Sequence, residues 1–428
     1  WYDQQDDPFL AFSIHDLHKL APKFYETVGK IRESGRDVDY ISDRYIFSAT
    51  VENGRIKTIG GTTYKALIIP ATKFLSPETV NKLYNLAAAG ATILFIDQYP
   101  SDVPGLKASE QREKELHVIL QKLPIVDFNT TQVHHVGKGL IITGKNYNEL
   151  FDAAGIEGEN FITQFKGQCI RRKNDSGYHY FFTLLSPNAI DNWVPLTVKA
   201  TSAVFFDPLS GKSGKANIRH KNNTTEVYMQ LQPGQSIILK TFTRKEADAP
   251  QWKYYQPTIE KITLDKGWKL SFIESEPTIP GTFDIDTLGS WTELKIENAK
   301  KNMGTARYIT SFRIEKLSAD EYWLNLGDVR ESARIRINGM PVDTLFAVPF
   351  KTTVGKYLKI GENTLEIDVT NLPANRIADY DRKGIMWRIF HDINIVDINY
   401  QRTIYDKWET VPSGLLGPVT LESSSLKK

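Results

Sequence analysis

The chain has 428 residues, 41% hydrophobic and 24% charged, which is the composition of a globular protein with real cores. Lys+Arg at 53 against Asp+Glu at 51 leaves a formal net charge of +2, which argues against a nucleic-acid partner because that role needs a basic field. A single cysteine, Cys169, rules out an internal disulfide and any CxxC metal site, and no apolar run approaches the ~20 residues of a membrane span.

The sequence opens on Trp1 with no signal peptide, so it reads as a fragment or processed product whose upstream parts are missing. Residues 1–158 mix helix and strand signals. "LHKLAPKFYETVGKIRESG" has helical spacing, and "FSATVENGRIKTIGG" reads as a hairpin turning at Asn53-Gly54. "YKALIIP" is a continuous apolar run ending in Pro70, as expected of a buried parallel strand. "SPETVNKLYNLAAAG" is a helix with Ser76 as N-cap, Pro77 at its first position and Gly90 closing it. "ATILFID" is the next buried strand, and "EQREKELHVILQKL" the next helix. This strand–helix–strand order predicts an α/β layered domain.

Over residues 159–250 the helical period stops. "QCIRRK", "GYHYFFTLL", "VPLTVKA", "SAVFFDPLSG" and "TEVYMQLQPGQSIILKTF" alternate or run apolar between Gly, Pro, Asn and Asp, which predicts a small β-sandwich. The polar stretch "TRKEADAPQW" then reads as an exposed linker. Residues 251–428 carry a second set of strands, among them "GWKLSFIESEP", "TARYITSFRI", "SARIRINGMPV", "NTLEIDVTN" and "INIVDINY", with a turn at Asn338-Gly339. About eight strands in this length suit a jelly-roll sandwich.

Several ordered pieces of the last segment carry a family resemblance. "GTARYITSFRI", "LNLGDVRESARIRINGMPV", "LKIGENTLEIDVTN", "MWR" at 386–388 and "PSGLLGPVTLE" together make it similar to the sugar-binding, galactose-binding-like domain of family 2 glycoside hydrolases. With "FFDPLSG" and the order α/β layer, small sandwich, terminal sandwich, the whole resembles the C-terminal portion of large bacterial α-L-rhamnosidase-type hydrolases of family 106. The resemblance implies that the first segment is an amidotransferase-like accessory domain and that the protein is secreted or periplasmic. It also implies that the catalytic carboxylates sit on a (β/α)₈ barrel. No stretch of this sequence supplies eight strand–helix repeats over ~250 residues.

The stretch "NRIADYDRKGIMWR" reads as a charged, aromatic loop crossing one end of the terminal sandwich. Glycoside hydrolysis needs two carboxylates roughly 5–9.5 Å apart. Asp379 and Asp381 lie two residues apart, but pairing with arginines to order the loop ranks first, sugar contact second and hydrolysis last. Trp291 and Trp387 are candidates to stack on a sugar face, with core packing weighed as the stronger role for each. The carbohydrate-binding candidates are therefore Trp291, Asn375, Arg376, Asp379, Tyr380, Asp381, Trp387 and Arg388. Arg376, Asp379 and Tyr380 would form the polar rim, Trp387 would turn inward, and an acid would pair with Arg376, Arg382 or Arg388. Asn371 closes the preceding strand beside Asn375.

Other chemistries lack their residues. Cys169 lies outside the α/β core, so a Cys-His nucleophile is absent, and no G-x-S-x-G elbow occurs. The eight histidines show no ligand spacing; His15 and His18 share a helical face without an acidic third partner. No cofactor is called for. A structural calcium ion stays open through Asp284 and Asp286, whose spacing lacks the Gly and Glu of a known loop. The function these readings favour is an accessory, carbohydrate-binding region of a polysaccharide-degrading hydrolase, partnered by saccharide and by a catalytic barrel of the same gene. The alternatives are a stand-alone glycosidase with its site between the α/β domain and the final sandwich, or a structural adaptor.

Overall fold

The computed structural model describes His18, residues 21–388 and residues 403–427. Two compact units divide the chain. One holds Trp1–Ile170, Val194–Lys199 and Arg219–Glu226; the other holds Arg171–Trp193, Ala200–Ile218 and Val227–Lys428. The residues read as a small middle sandwich are thus shared between the two. No helix among the described residues is long and apolar enough to cross a membrane.

The first unit is built on a four-stranded sheet. Leu67–Ile69, Thr92–Ile96 and Gly139–Gly144 run parallel, and Gln132–Val136 pairs antiparallel at the edge. The strand Thr92–Ile96 shows why its sequence is apolar throughout. Ile93 and Phe95 point into one core with Val80, Leu83 and Leu86 of the helix Pro77–Ala89 and Leu116 of the helix Ser109–Leu120. Leu94 and Ile96 point the opposite way, into a core with Ile31 of the helix Pro22–Glu33 and Leu150 and Phe151 of the helix Tyr147–Ala153. A strand covered on both faces has no polar side to show. The helix Pro77–Ala89 starts where its cap demands, with Thr79 N donating to Ser76 Oγ at 3.1 Å. Thr50–Glu52 and Arg55–Lys57 form the hairpin, and Asn53 and Gly54 both take positive φ, 52° and 73°.

In the middle of the chain a five-stranded sheet orders as Ser213–Lys215, Ser202–Phe206, Ser236–Phe242, Gly177–Thr183 and Gln168–Lys173. Ile190–Leu196, Thr224–Leu231 and Ile218–Lys221 make a further three-stranded sheet. Cys169 is half-buried in its strand. The stretch 244–250 is largely exposed but tied down, with Lys215 N donating to Pro250 O at 2.7 Å and Lys215 Nζ to Glu246 at 2.5 Å.

The last part of the second unit is a sandwich. Its six-stranded sheet orders as Thr282–Ile285, Trp268–Glu276, Met303–Ile314, Gly361–Thr370, Ser332–Ile337 and Met340–Leu345. Its four-stranded sheet orders as Tyr255–Thr263, Thr420–Leu426, Glu321–Asn325 and Lys351–Thr353. One core joins them: Leu270, Tyr308, Ile335, Leu365 and Ile367 from the first sheet, Tyr322, Leu324 and Leu421 from the second. Burying each such side chain stabilises the fold by roughly 1.5–3 kcal/mol. Alternation sets the outer face, where Arg307, Arg336, Glu366 and Asp368 point away from the core. The register of Ser332–Ile337 against Met340–Leu345 is turned at Asn338-Gly339, whose φ values are 52° and 77°.

Candidate functional site

The stretch read as a loop is a helix, Ala374–Arg382, set at one end of this sandwich after the strand Gly361–Thr370. Local pairing explains the difference. Arg376 Nη1 reaches Asp379 Oδ2 at 2.8 Å three residues on, and Lys383 Nζ reaches the same oxygen at 2.7 Å four residues on. These are the spacings that face each other on a helix. A 100° step per residue then sorts the candidates. Arg376, Asp379, Tyr380 and Lys383 share one side, and Asp381 and Arg382 fall on the other.

The first side forms a cluster around one guanidinium. Arg376 Nη2 donates to Glu276 Oε1 at 3.1 Å, and Tyr380 OH donates to the same carboxylate oxygen. The Arg376 guanidinium also lies 4.3 Å from the centre of the Tyr380 ring. Arg376 Nε is buried and has no hydrogen-bond partner. Burial pushes the Asp379 carboxyl up, but the Lys383 ammonium and the charges of Lys301 and Arg376 outweigh it and leave it below the usual carboxylate range. Hydrogen bonds from Tyr380 and Arg376 hold Glu276 low as well. Both carboxyls are thus held toward their charged forms, whereas the general acid of glycoside cleavage needs its pKa raised.

The second side holds Trp387 and Arg388. Asp381 Oδ1 accepts from Trp387 Nε1 at 2.7 Å and Oδ2 from Tyr405 N at 2.8 Å. Trp387 is half-buried, in keeping with an inward turn, and the Arg388 guanidinium lies 5.0 Å from its ring centre. The structure thus splits the predicted set into two groups back to back. The stretch "INIVDINY", read from the sequence as a strand, lies outside the described residues.

Two candidates leave the set. Trp291 is 0% exposed and packs edge-on against Phe272 at 5.4 Å, so its faces belong to the core and not to a sugar. Gly414, at φ 104°, is required beside it, because a Cβ there would come within 2.8 Å of the Trp291 ring. Asn375 uses both ends of its amide on the chain: Nδ2 donates to Val411 O at 2.9 Å, and Oδ1 accepts from Val411 N at 2.9 Å. Asn371, between the strand and the helix, likewise binds the chain, donating to Asn302 O at 3.0 Å and accepting from Gly304 N at 3.0 Å. Both asparagines pin the end of the sandwich.

Asp284 and Asp286 are exposed, and among the described residues no group of three His, Cys, Asp or Glu is placed to hold a metal ion. His15 lies outside the described residues. A groove of about 480 Å³ runs between the helices Pro77–Ala89 and Ser109–Leu120 in the first unit and carries none of the candidates. Sequence reasoning missed Glu276, one hundred positions before Arg376 in a strand with no local signal. It also missed Lys383, whose i+4 spacing from Asp379 was readable.

Residues 15–220 match the family model of alpha-L-rhamnosidase. A curated Formosa agariphila protein, described as "Putative beta-glucuronidase", is 34% identical over 181 residues, a match covering 38% of this chain and 16% of that protein. Among solved structures, a rhamnosidase from Novosphingobium sp. PP1Y superposes with a TM-score of 0.66 at 20% identity, over 90% of this chain and 36% of that one. Over part of its length the chain is thus similar in sequence to glycoside hydrolases. It shares its fold with a rhamnosidase and spans only a minor part of the length of either relative.

Proposed function

We propose that the chain is an accessory, carbohydrate-handling region of a glycoside hydrolase of the α-L-rhamnosidase kind. In this reading it works beside a catalytic barrel carried by the same gene in a secreted or periplasmic enzyme. The observation that carries the reading is the family match over residues 15–220. The site geometry supports it, since Glu276 and Asp379 are both held ionised around one arginine and suit binding better than proton transfer. The terminal sandwich, with its NG turn at Asn338-Gly339 and its Asn371-anchored end, is read as a family 2-type galactose-binding-like jelly roll. Arg376, Asp379 and Tyr380, joined by Glu276 and Lys383, are its polar rim.

The test is turnover. The chain alone is expected to hydrolyse neither nitrophenyl α-L-rhamnoside nor nitrophenyl galactoside. Steady hydrolysis abolished by Asp381→Asn would overturn the accessory reading in favour of a catalytic one.

A further inference from the structure

The segment that returns along the far side of the helix Ala374–Arg382 presents an aromatic pair that the sequence did not single out. Tyr405 and Trp408 have ring centres 4.2 Å apart at 51°. Trp408 is 47% exposed and is the one largely exposed tryptophan among the described residues. A lone exposed aromatic needs no explanation. This one is held in place from three directions. Arg382 Nε donates to Asp406 O and Nη2 to Trp408 O, each at 2.7 Å. Asp381 accepts from Tyr405 N at 2.8 Å, and Trp408 N closes the turn onto Tyr405 O at 3.1 Å. Behind the pair the Arg388 guanidinium lies 5.5 Å from the Tyr405 ring, and Trp387 lies 6.3 Å from it. Helix side chains therefore fix the backbone that carries Trp408, while its half-exposed indole packs against the Tyr405 ring. An exposed aromatic surface on a fixed backbone is what the apolar face of a pyranose ring packs against.

We propose that Tyr405 and Trp408 form a sugar-stacking platform that takes a pyranose ring, on the side of the helix opposite Arg376. The inference rests on the carbohydrate-handling reading above and adds a second, separate sugar contact, one that takes an apolar ring face. Asp381 and Arg382 act as positioning residues, holding the platform through backbone groups.

The probes are methyl α-L-rhamnopyranoside and methyl β-D-glucuronide, titrated into the full chain while its tryptophan indole N–H resonances are followed by NMR. Trp408→Phe assigns the Trp408 signal by its loss. That signal is expected to shift saturably with at least one probe, Trp408→Ala to weaken binding about tenfold, and Trp408→Phe to retain most of it. Binding seen at other resonances, with Trp408 silent and the affinity of Trp408→Ala unchanged, overturns the platform and leaves the carbohydrate reading standing. Binding of neither probe overturns both.

Discussion

Two ion networks in the same sandwich use similar residues for different ends. On the outer face of the six-stranded sheet, Asp368 is 2% exposed and takes Arg307 at 2.7 and 3.0 Å and Arg336 at 2.9 Å, while Glu366 backs both arginines. These partners come from three adjacent strands, so the network staples the sheet, and its three hydrogen bonds use most of the carboxylate's acceptor sites. At the end of the sandwich, Arg376 leaves Nε unpartnered and Glu276 has a side chain 48% exposed. The comparison teaches that charge alone does not mark a site. Polar groups that reach solvent at the rim of a rigid scaffold, as the Glu276 carboxylate does, are what mark one.

The contrast breaks most visibly where the scaffold supports the rim. Trp291→Ala empties a fully buried site under Ser413 and Gly414, and urea unfolding should show a loss of about 4 kcal/mol. A loss under about 1 kcal/mol would mean that Trp291 is not core. Asp368→Ala leaves Arg307 and Arg336 unpaired on a sheet face. Because those arginines are 30% and 33% exposed, the same measurement should give about 2–3 kcal/mol, below the full cost of a broken buried pair. Arg376→Ala should cost only about 1 kcal/mol, since Glu276 is 48% exposed and Asp379 keeps its pairing with Lys383 at 2.7 Å.

Acid sharpens the same contrast. Burial pushes Asp368 up, but hydrogen bonds from Arg307 and Arg336 outweigh it and set its pKa below the ordinary 3.8. The unfolded chain then binds the proton more readily than the folded one. The stabilisation is therefore complete above the ordinary value and is lost as pH falls through the lowered one. Stability measured from pH 6 down to pH 2 should fall more gently in Asp368→Asn than in the wild type. Parallel curves would contradict this assignment.

Much of the fold was legible. Ser76, Pro77 and Gly90 announced a helix that forms over Pro77–Ala89, and Asn53-Gly54 and Asn338-Gly339 announced hairpin turns that take the positive φ values such turns need. The unbroken apolar run in Thr92–Ile96 announced a strand buried on both faces. The helix Ala374–Arg382 was not legible as a helix because its buried positions are Asn375, Ala378 and Asp379, not an apolar stripe. Its inward side is held by amide and ion-pair contacts, so the 3.6-residue hydrophobic period is absent. Glu276 and Trp408 were invisible for another reason: only the folded chain brings them to the helix.

The central claim is that the Arg376 side of this helix contacts carbohydrate. Its most direct test is calorimetric titration of the full chain with rhamnose-containing oligosaccharide, wild type against the Arg376→Ala/Asp379→Ala double variant, with circular dichroism confirming that both are folded. The account predicts saturable binding by the wild type and its loss in the double variant. Unchanged affinity in a folded double variant would contradict it.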